Sequence, residues 1–300
     1  MIVSVIVRTR NRTRFLARAL ASVAGQTYRD LDPVVINDGG DSAAFLETVE
    51  RAAATFSARP RVIDRPSSAG AAAALNEALT ACRGALVGIH DDDDTWHAGF
   101  VEAAVARYGA VKPLVPNLAG CICGLVRVYE KIDPDGEIQI LQRETPGPEN
   151  AAEGLVNFAR YLLQQEDFYP IQCLFDKSAA VSAGGFDPGI EIFEDRHLFM
   201  RLLATGEFCV EPRRLACHHV RVDGQSGDAA NASRDYDRAK FHFARLQNEL
   251  LRGVIPGLPA GSAATLAPLL KAIADIRPAP ARRSLSDRLR DRIARRRKRK

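Results

Sequence analysis

The stretch ALVGIHDDDD, residues 85–94, joins an apolar run directly to four consecutive aspartates. A short apolar run of this kind is typical of a strand buried on both faces of a parallel sheet. Four adjacent negative charges repel one another, and a hard divalent cation with oxygen ligands, such as Mg²⁺ or Mn²⁺, would relieve that repulsion. The stretch therefore predicts a metal-binding loop at a strand end, with a solvated acidic loop as the alternative.

Apolar runs and amphipathic segments alternate along the chain upstream of this stretch. Strands are predicted at 2–7, 33–36, 62–63 and 85–89, and helices at 15–23, 43–55 and 70–81. This β-α-β-α-β-α-β order predicts an α/β fold with a doubly wound, mostly parallel sheet. In such sheets ligands bind outside the carboxyl ends of the strands.

Polar clusters fall at three of the predicted strand ends. They are Thr9 to Asn11, Asn37 to Gly39 and Asp91 to Asp94. The topology alone predicts that the three clusters converge on one crevice. Taken separately, each has a second interpretation, because Thr9 and Asn11 are suited to capping the following helix and Asn37 to Gly39 to forming a turn. If the clusters instead bind a ligand, the Asp38 carboxylate accepts hydrogen bonds from it.

The second half of the chain has a different pattern. Strands are predicted at 121–131 and 137–143 around a turn, and helices at 154–165, 194–206, 236–250 and 262–276. Glu194 and Asp195 open one of these helices, where acidic residues stabilise the first turn or serve as a base that removes a proton from a hydroxyl. The single tryptophan, Trp96, follows the acidic run and suits either the core or stacking on a sugar ring.

Charge and cysteine content exclude several classes of protein. Six cysteines without a CxxC pair predict free thiols and no zinc site. Residues 282–300 hold eleven Lys or Arg and two Asp, a net charge of +9, whereas the other 281 residues are mildly acidic. Because the basic charge is confined to the tail, we do not expect nucleic acid as a partner.

The location of the protein is also predicted from these patterns. No apolar run approaches the roughly 18–20 residues that span a bilayer, and the first ten residues do not resemble a signal peptide. We therefore predict a cytoplasmic protein. The basic tail carries Leu285, Leu289 and Ile293 at a spacing of four, which is consistent with peripheral attachment to anionic lipid on the inner face of the membrane and equally with a solubilising tail.

Several motifs, in this order and spacing, resemble those of the family 2 inverting glycosyltransferases of the GT-A fold. The matching segments are RTRNR at 8–12 with the family's PTYNR, ALASV at 19–23 with QTY at 26–28, VINDG at 35–39 with VvDDGS, 70–78 with GvsaArNrG, HDDDDTW at 90–96 with LDDDDxW, and GGFD at 184–187 with EDR at 194–196. The resemblance covers about residues 2–110 and returns at 170–226. It implies a GT-A type sheet with an acceptor-side subdomain and C-terminal helices.

The resemblance also implies an activity and a site. It implies a metal-dependent, inverting transfer of a sugar from a nucleotide-diphosphate donor to a hydroxyl of a glycan or lipid-linked acceptor, in polysaccharide, lipopolysaccharide or other glycoconjugate synthesis. It assigns the nucleotide sugar to Thr9, Asn11, Asp38, Asn76, Asp92 and Trp96, the Mg²⁺ or Mn²⁺ ion to Asp91 and Asp93 with His219 or Asp223 as a third ligand, and proton removal to Asp195.

The same resemblance predicts the organisation of the chain and shows where the chain departs from the family. Expected are a nucleotide-sugar-binding half at 1–110, an acceptor-binding half at 111–226, a helical extension at 227–281 and a basic tail at 282–300. Arg8 stands where proline is usual, Asn37 replaces an aspartate, and Leu75 replaces an arginine that is suited to a phosphate contact. Asp223 replaces a histidine.

Two other functions remain open from the sequence. Asp91-x-Asp93-x-Thr95 fits the DxDx[T/V] pattern of haloacid-dehalogenase phosphohydrolases, in which Asp91 would be a phosphorylated nucleophile. That motif usually follows the first strand, whereas three strand–helix units precede it here. A non-catalytic sugar-nucleotide-binding homologue is suggested by Asn37, Leu75 and Asp223.

Overall fold

The computed structural model describes residues 1–133, 135, 137–145, 154–162 and 166–222, together with residues 241, 242, 244, 245 and 248. The strands are β1 Val3–Thr9, β2 Leu31–Asp38, β3 Arg61–Arg65, β4 Leu86–Asp91, β5 Thr95–Trp96, β6 Leu118–Ile132, β7 Ile138–Glu144, β8 Cys173–Asp176 and β9 Glu207–Arg221. The helices are α1 Thr13–Ala24, α2 Ser42–Ala53, α3 Ala71–Ala81, α4 Phe100–Val111, α5 Phe158–Leu162, α6 Lys177–Ser182 and α7 Glu194–Thr205, with a 3₁₀ turn at Pro170–Gln172.

One mixed sheet joins all of these strands in the order β3-β2-β1-β4-β8-β6-β9-β5, with β7 paired to β6. The first four strands are parallel, and β6 and β9 form a second parallel pair. Strand β8 runs antiparallel to both β4 and β6 and connects the two sets. The predicted α/β fold with a mostly parallel central sheet is confirmed.

Hydrophobic cores on both faces of the sheet hold the helices in place. On one face Val5 packs with the apolar sides of α1 and α2. On the other face Ile6 packs with Leu75 of α3 and Leu198 of α7. Because side chains alternate along a strand, Arg8 points to the face that carries α3 and α7. Leu75 is 2% exposed, so this departure from the family serves the core.

The predicted elements of the first half are all present, with bounds shifted by a few residues. In the second half the paired strands around residues 133–136 and the helix opened by Glu194 are also confirmed. The helix expected at 154–165 was too long, because Leu155 bridges to Cys209 and helix α5 begins only at Phe158. Helices α4 and α6 and strands β8 and β9 were not predicted.

Some predictions fall on residues that the structure does not describe. They concern Asp223, the basic tail at 282–300, the helix at 262–276 and most of the helix at 236–250. Within the described ranges, no helix combines the length and the apolar character needed to cross a bilayer. All six cysteines are free, as expected from the sequence, and all but Cys217 are buried.

Gly120 provides a test of the packing between β6, β8 and β9. A Cβ atom there would lie 2.4 Å from a ring carbon of Phe208 and 2.8 Å from the carbonyl oxygen of Leu174. We expect Gly120→Ala to lower the free energy of unfolding by about 1–3 kcal/mol through overpacking. Urea denaturation measures this change.

Gly109 in α4 is the matched control, because a Cβ atom there meets no atom within 4 Å. Gly109→Ala should raise the free energy of unfolding by up to about 1 kcal/mol, since alanine is the better helix former. Equal effects of the two alanine substitutions would contradict the described packing of β6.

Candidate active site

The acidic run lies at the carboxyl end of β4, beside the end of β1. Residues Arg8 and Asp91 are register partners in these two strands. The hydroxyl of Thr9 donates a hydrogen bond of 2.7 Å to the Asp92 carboxylate, and this contact is buried. The polar clusters that follow β1 and β4 therefore meet, as the topology predicted.

Arginines neutralise part of the acidic run. Arg12 donates to Asp92 Oδ1 at 2.8 Å and to Asp93 Oδ2 at 3.0 Å. Arg221, at the end of β9, donates to the same Asp93 oxygen at 2.6 Å. Arg18 bonds the Glu130 carboxylate at 2.8 Å and the backbone carbonyl of Asp93. The three guanidinium groups thus match three carboxylates, those of Asp92, Asp93 and Glu130.

The ring of Phe15 lies among these three guanidinium groups. The central carbons of Arg12, Arg18 and Arg221 are 5.5, 5.6 and 4.8 Å from the ring centroid. Each distance is in the range of a cation–π contact. Phe15 is fully buried in α1, and Arg12 and Arg18 come from the N-cap and the body of the same helix.

The aspartates of the run have different pKa values because their partners differ. Burial raises the pKa of Asp93, but the charges of Arg12 and Arg221 outweigh it and lower the pKa to about 2. Burial and the charge of Asp93 raise the pKa of Asp92 to about 6. Burial raises the pKa of Asp91 to about 8, against the charge of Arg8 and with the help of neighbouring carboxylates that include Asp195.

Asp91 and one oxygen of Asp93 fit a hard divalent cation. The Asp91 carboxylate has no hydrogen bond or ion pair with any described residue, and both arginine contacts of Asp93 use Oδ2, leaving Oδ1 without one. A magnesium ion needs only one or two protein carboxylates when phosphates and water complete its shell. No group of three or more His, Cys, Asp or Glu side chains in the described ranges could hold a metal by itself.

His219 is positioned differently from the expectation that it ligates the metal. Its Nδ1 atom lies 2.7 Å from Glu130 Oε2, and its Nε2 atom lies 2.8 Å from the Thr95 hydroxyl. Both ring nitrogens are therefore occupied by protein groups, and the imidazole is a buried structural partner of Glu130. The neighbouring His218 faces Asp94 at 3.2 Å and stacks on Tyr169.

The end of β2 forms a closed set of hydrogen bonds. Asp38 is 2% exposed and accepts from Arg65 at 3.1 Å, from the Ser68 hydroxyl at 2.9 Å and from the backbone N–H of Ala69. The Asn37 amide donates to Asp64 at 2.8 Å. An aspartate at position 37 would instead repel Asp64, which explains this departure from the family.

Asn11, Asn76 and Trp96 make contacts with the protein itself. Asn11 has a φ of 56° and accepts from the backbone N–H of Asp41. Both amide atoms of Asn76 bond the backbone of Phe186, at 2.7 and 2.8 Å. Trp96 is 6% exposed, stacks on Phe100 and donates to the carbonyl of Ile171. The structure thus places the indole in the core, the first of its two predicted positions.

Asp195 lies in the first turn of α7, on the face of the sheet to which Arg8 points. Burial raises the pKa of Asp195, while the backbone N–H and the charge of Arg196 oppose that rise. Burial and the charge of Asp195 raise the pKa of Glu194 to about 7. Since the charge of Asp195 also acts on Asp91, the base predicted from the sequence lies near the acidic run.

Sequence reasoning missed several residues that shape this cleft. Glu130 has no local signal, because it lies in the middle of a strand and only the fold brings Arg18 and His219 to it. Arg18 and His218 were missed for the same reason. Arg221 lies two residues before Asp223, the position where the resemblance expects a histidine, so its place in the sequence was a usable signal.

The geometry defines a class of domain, an α/β fold with a cluster of carboxylates at the ends of its parallel strands. The model of the family described as "Glycosyl transferase family 2" matches residues 4–180. The chain belongs to this family, and its fold is the GT-A fold of family 2 glycosyltransferases.

Curated relatives are longer than this chain. The O-antigen biosynthesis protein RfbC of Myxococcus xanthus is 38% identical over 225 residues, which are 73% of this chain and 15% of that protein. The chondroitin synthase of Pasteurella multocida is 25% identical over 251 residues, 84% of this chain and 23% of that protein. The chain therefore spans less than a third of the relatives it matches.

Solved structures share the fold at low sequence identity. S. aureus TarS 1–349 in complex with UDP-GlcNAc has a TM-score of 0.59 at 16% identity, covering 91% of this chain and 79% of that one. The mannosyltransferase PcManGT from Pyrobaculum calidifontis, in complex with GDP-Man and Mn²⁺, has a TM-score of 0.55 at 19% identity, covering 95% and 78%.

Glu130→Gln tests the network of charges behind the acidic run. Burial opposes the ionisation of Glu130, but hydrogen bonds from His219 and Arg18 outweigh it and lower its pKa. Removing this charge leaves buried cations without their partner, and we expect the free energy of unfolding at neutral pH to fall by about 3–5 kcal/mol. Chemical denaturation at several pH values measures it.

The pH dependence and a surface control complete this test. Because the pKa of Glu130 is lowered on folding, its contribution is present at neutral pH and is lost as the pH falls below the ordinary value of 4.5. The difference between wild type and variant should shrink in acid. Glu50→Gln, which breaks an exposed pair with Arg59, should change the free energy of unfolding by less than about 1 kcal/mol.

Proposed function

We propose that this chain transfers a sugar from a nucleotide-diphosphate donor to a hydroxyl group of a glycan or lipid-linked acceptor, with inversion at the anomeric carbon. The observation that carries the proposal is the proximity of Asp195 to the acidic run, where its charge acts on Asp91, in a member of glycosyl transferase family 2. The names of the relatives, an O-antigen biosynthesis protein and a chondroitin synthase, support glycan synthesis, including that of the cell envelope, as the process.

The donor would lie across the carboxyl ends of β1, β2 and β4. Structural neighbours bind UDP-GlcNAc and GDP-Man, which supports a nucleotide-diphosphate sugar as the donor class. Thr9 and Asp38 would hold the base and ribose, at the ends of two adjacent strands. Their present partners, Asp92 and Arg65, fix the two side chains in place.

Asp91 and Asp93 would hold a Mg²⁺ or Mn²⁺ ion, which supplies positive charge to the diphosphate leaving group when it is bound. The neighbour PcManGT in complex with Mn²⁺ supports this choice of cofactor. Arg12 and Arg221 hold Asp93 by a single oxygen, so its other oxygen keeps a fixed direction. The pair thus orients the carboxylate without occupying it fully.

Asp195 would remove the proton of the acceptor hydroxyl. A carboxylate is a weak base at its ordinary pKa, and burial raises the pKa of Asp195. General-base efficiency improves as the pKa approaches the working pH. The half-buried position in α7 therefore makes this side chain a better base than an exposed aspartate.

The basic tail, residues 282–300, is relevant to the location of the reaction in the cell. It lies outside the described residues, and only its net charge of +9 supports a role. We propose that residues 282–300 hold a cytoplasmic enzyme against anionic lipid, where a lipid-linked acceptor would be found.

A panel of nucleotide sugars, each with and without Mn²⁺, tests the function. We expect one donor to raise the melting temperature, because ligand binding stabilises the folded state. With that donor, Asp195→Asn should keep donor binding and lose transfer by a factor of about 10²–10⁴. Radiolabelled sugar transfer to a glycan acceptor measures the activity, and Glu47→Gln, on the surface of α2, is the control.

The alternatives give different outcomes. A donor that binds without Asp195-dependent transfer would point to the non-catalytic homologue. Release of inorganic phosphate from a phosphate ester without any acceptor would point to the phosphohydrolase. The absence of a thermal shift with every nucleotide sugar would overturn the proposal itself.

The pH profile offers a second test of Asp195 as the base. Because burial raises its pKa, kcat should fall already in weakly acidic solution as Asp195 becomes protonated. Glu194→Gln removes a neighbouring negative charge and should move this acidic limb to lower pH. The charged and titratable groups that act with Asp195 are Arg8 of β1, Asp91 of β4, Tyr161 of α5, Asp167, and Glu194 and Arg196 of α7. If the acidic limb of the kcat profile moved to higher pH in Glu194→Gln, or did not move, the assignment of Asp195 as the base would be contradicted.

A further inference from the structure

Arg8 is the last residue but one of β1, at the end of the strand beside the acidic run. It is the register partner of Asp91 in β4, and its side chain points to the face of the sheet that carries the first turn of α7. The residue is half-buried, unlike the exposed Arg10 two positions later. The fold therefore places a guanidinium group between the acidic run and the predicted base.

Among the described residues, the guanidinium group of Arg8 has no hydrogen-bond or ion-pair partner. Its Nε atom is buried without a hydrogen bond, and no ion pair joins Arg8 to any described residue. In contrast, Arg12 and Arg221 are bonded to carboxylates of the acidic run. A buried donor that is left unbonded is costly, so the site favours an added acceptor beside Arg8.

The charge of Arg8 nevertheless acts on the carboxylates around it. It is among the causes that hold down the pKa values of Asp91, Glu194 and Asp195. Arg8 is thus close to all three without bonding any of them. No described carboxylate bonds the guanidinium group of Arg8. A ligand that binds beside Arg8 would therefore place a negatively charged group against this guanidinium.

We propose that Arg8 binds the diphosphate of the sugar donor and stabilises the nucleoside diphosphate as it leaves. The inference rests on the proposed function. A planar guanidinium group offers paired donors that match two phosphate oxygens, and its charge is fixed over the whole working range of pH. Nothing in the family resemblance assigns a role to this position, where proline is usual.

In the transfer step, the acceptor oxygen forms a bond to the anomeric carbon, and its proton goes to Asp195. The bond between that carbon and the phosphate oxygen breaks, and its electron pair stays on the leaving nucleoside diphosphate. Arg8 donates hydrogen bonds where that negative charge grows. Donors fixed at such a position stabilise the transition state more than the ground state.

Isothermal titration with UDP and uridine, and with GDP and guanosine, in Mg²⁺ buffer tests this inference. For the nucleotide that the wild type binds, Arg8→Met should weaken the diphosphate about tenfold or more while changing the nucleoside less than about twofold. Arg8→Lys keeps the charge without the planar fork and should weaken the diphosphate to a smaller extent. Arg14→Met, which removes an exposed arginine of α1, should bind both ligands as the wild type does.

The outcomes separate this inference from the proposed function. Equal weakening of nucleoside and diphosphate would show a structural role and overturn the inference, as would unchanged diphosphate binding. If the wild type transfers sugar while Arg8→Met binds diphosphate normally, only the role of Arg8 fails. If the wild type neither binds nucleotides nor transfers sugar, both fail. If Arg8→Met does not fold, Arg8→Lys is measured instead. A loss of affinity for the diphosphate alone supports the inference, and an equal loss for the nucleoside, or no loss for either, overturns it.

Discussion

The structure depends on how four consecutive aspartates are held at the end of a buried strand. Asp92 and Asp93 are paired with arginines from α1 and β9, and Glu130 from β6 closes the network. Buried ion pairs of this kind contribute little net stability, because desolvation offsets their attraction. Their effect is positional: they join α1, the end of β4, β6 and β9 through one set of charges around Phe15.

This pairing leaves particular groups without partners, and those groups mark the site. The carboxylate of Asp91 and the guanidinium group of Arg8 make no hydrogen bond or ion pair with a described residue. Uncompensated charges in a cleft are costly to fold and are typical of functional sites. The same physical fact therefore supports a cation beside Asp91 and a phosphate beside Arg8, the two charges that a nucleotide sugar and its metal would bring.

Departures from the family pattern become understandable in this setting. Leu75 fills the core between α3 and α7, and Asn37 donates to Asp64 where a carboxylate would repel it. Both residues have been adapted to contacts within the domain. The chain spans less than a third of the length of its curated relatives.

The sequence by itself determined the alternation of strands and helices, the parallel sheet and the edge at which the polar clusters gather, because hydrophobic periodicity and turn residues are local properties. It also predicted that Asp91 and Asp195 belong to one site. Only the tertiary structure decided that Trp96 belongs to the core, that His219 is bonded on both sides, and that Arg18 meets Glu130. Those outcomes depend on contacts between residues far apart in the chain, and no local pattern encodes the distance between them.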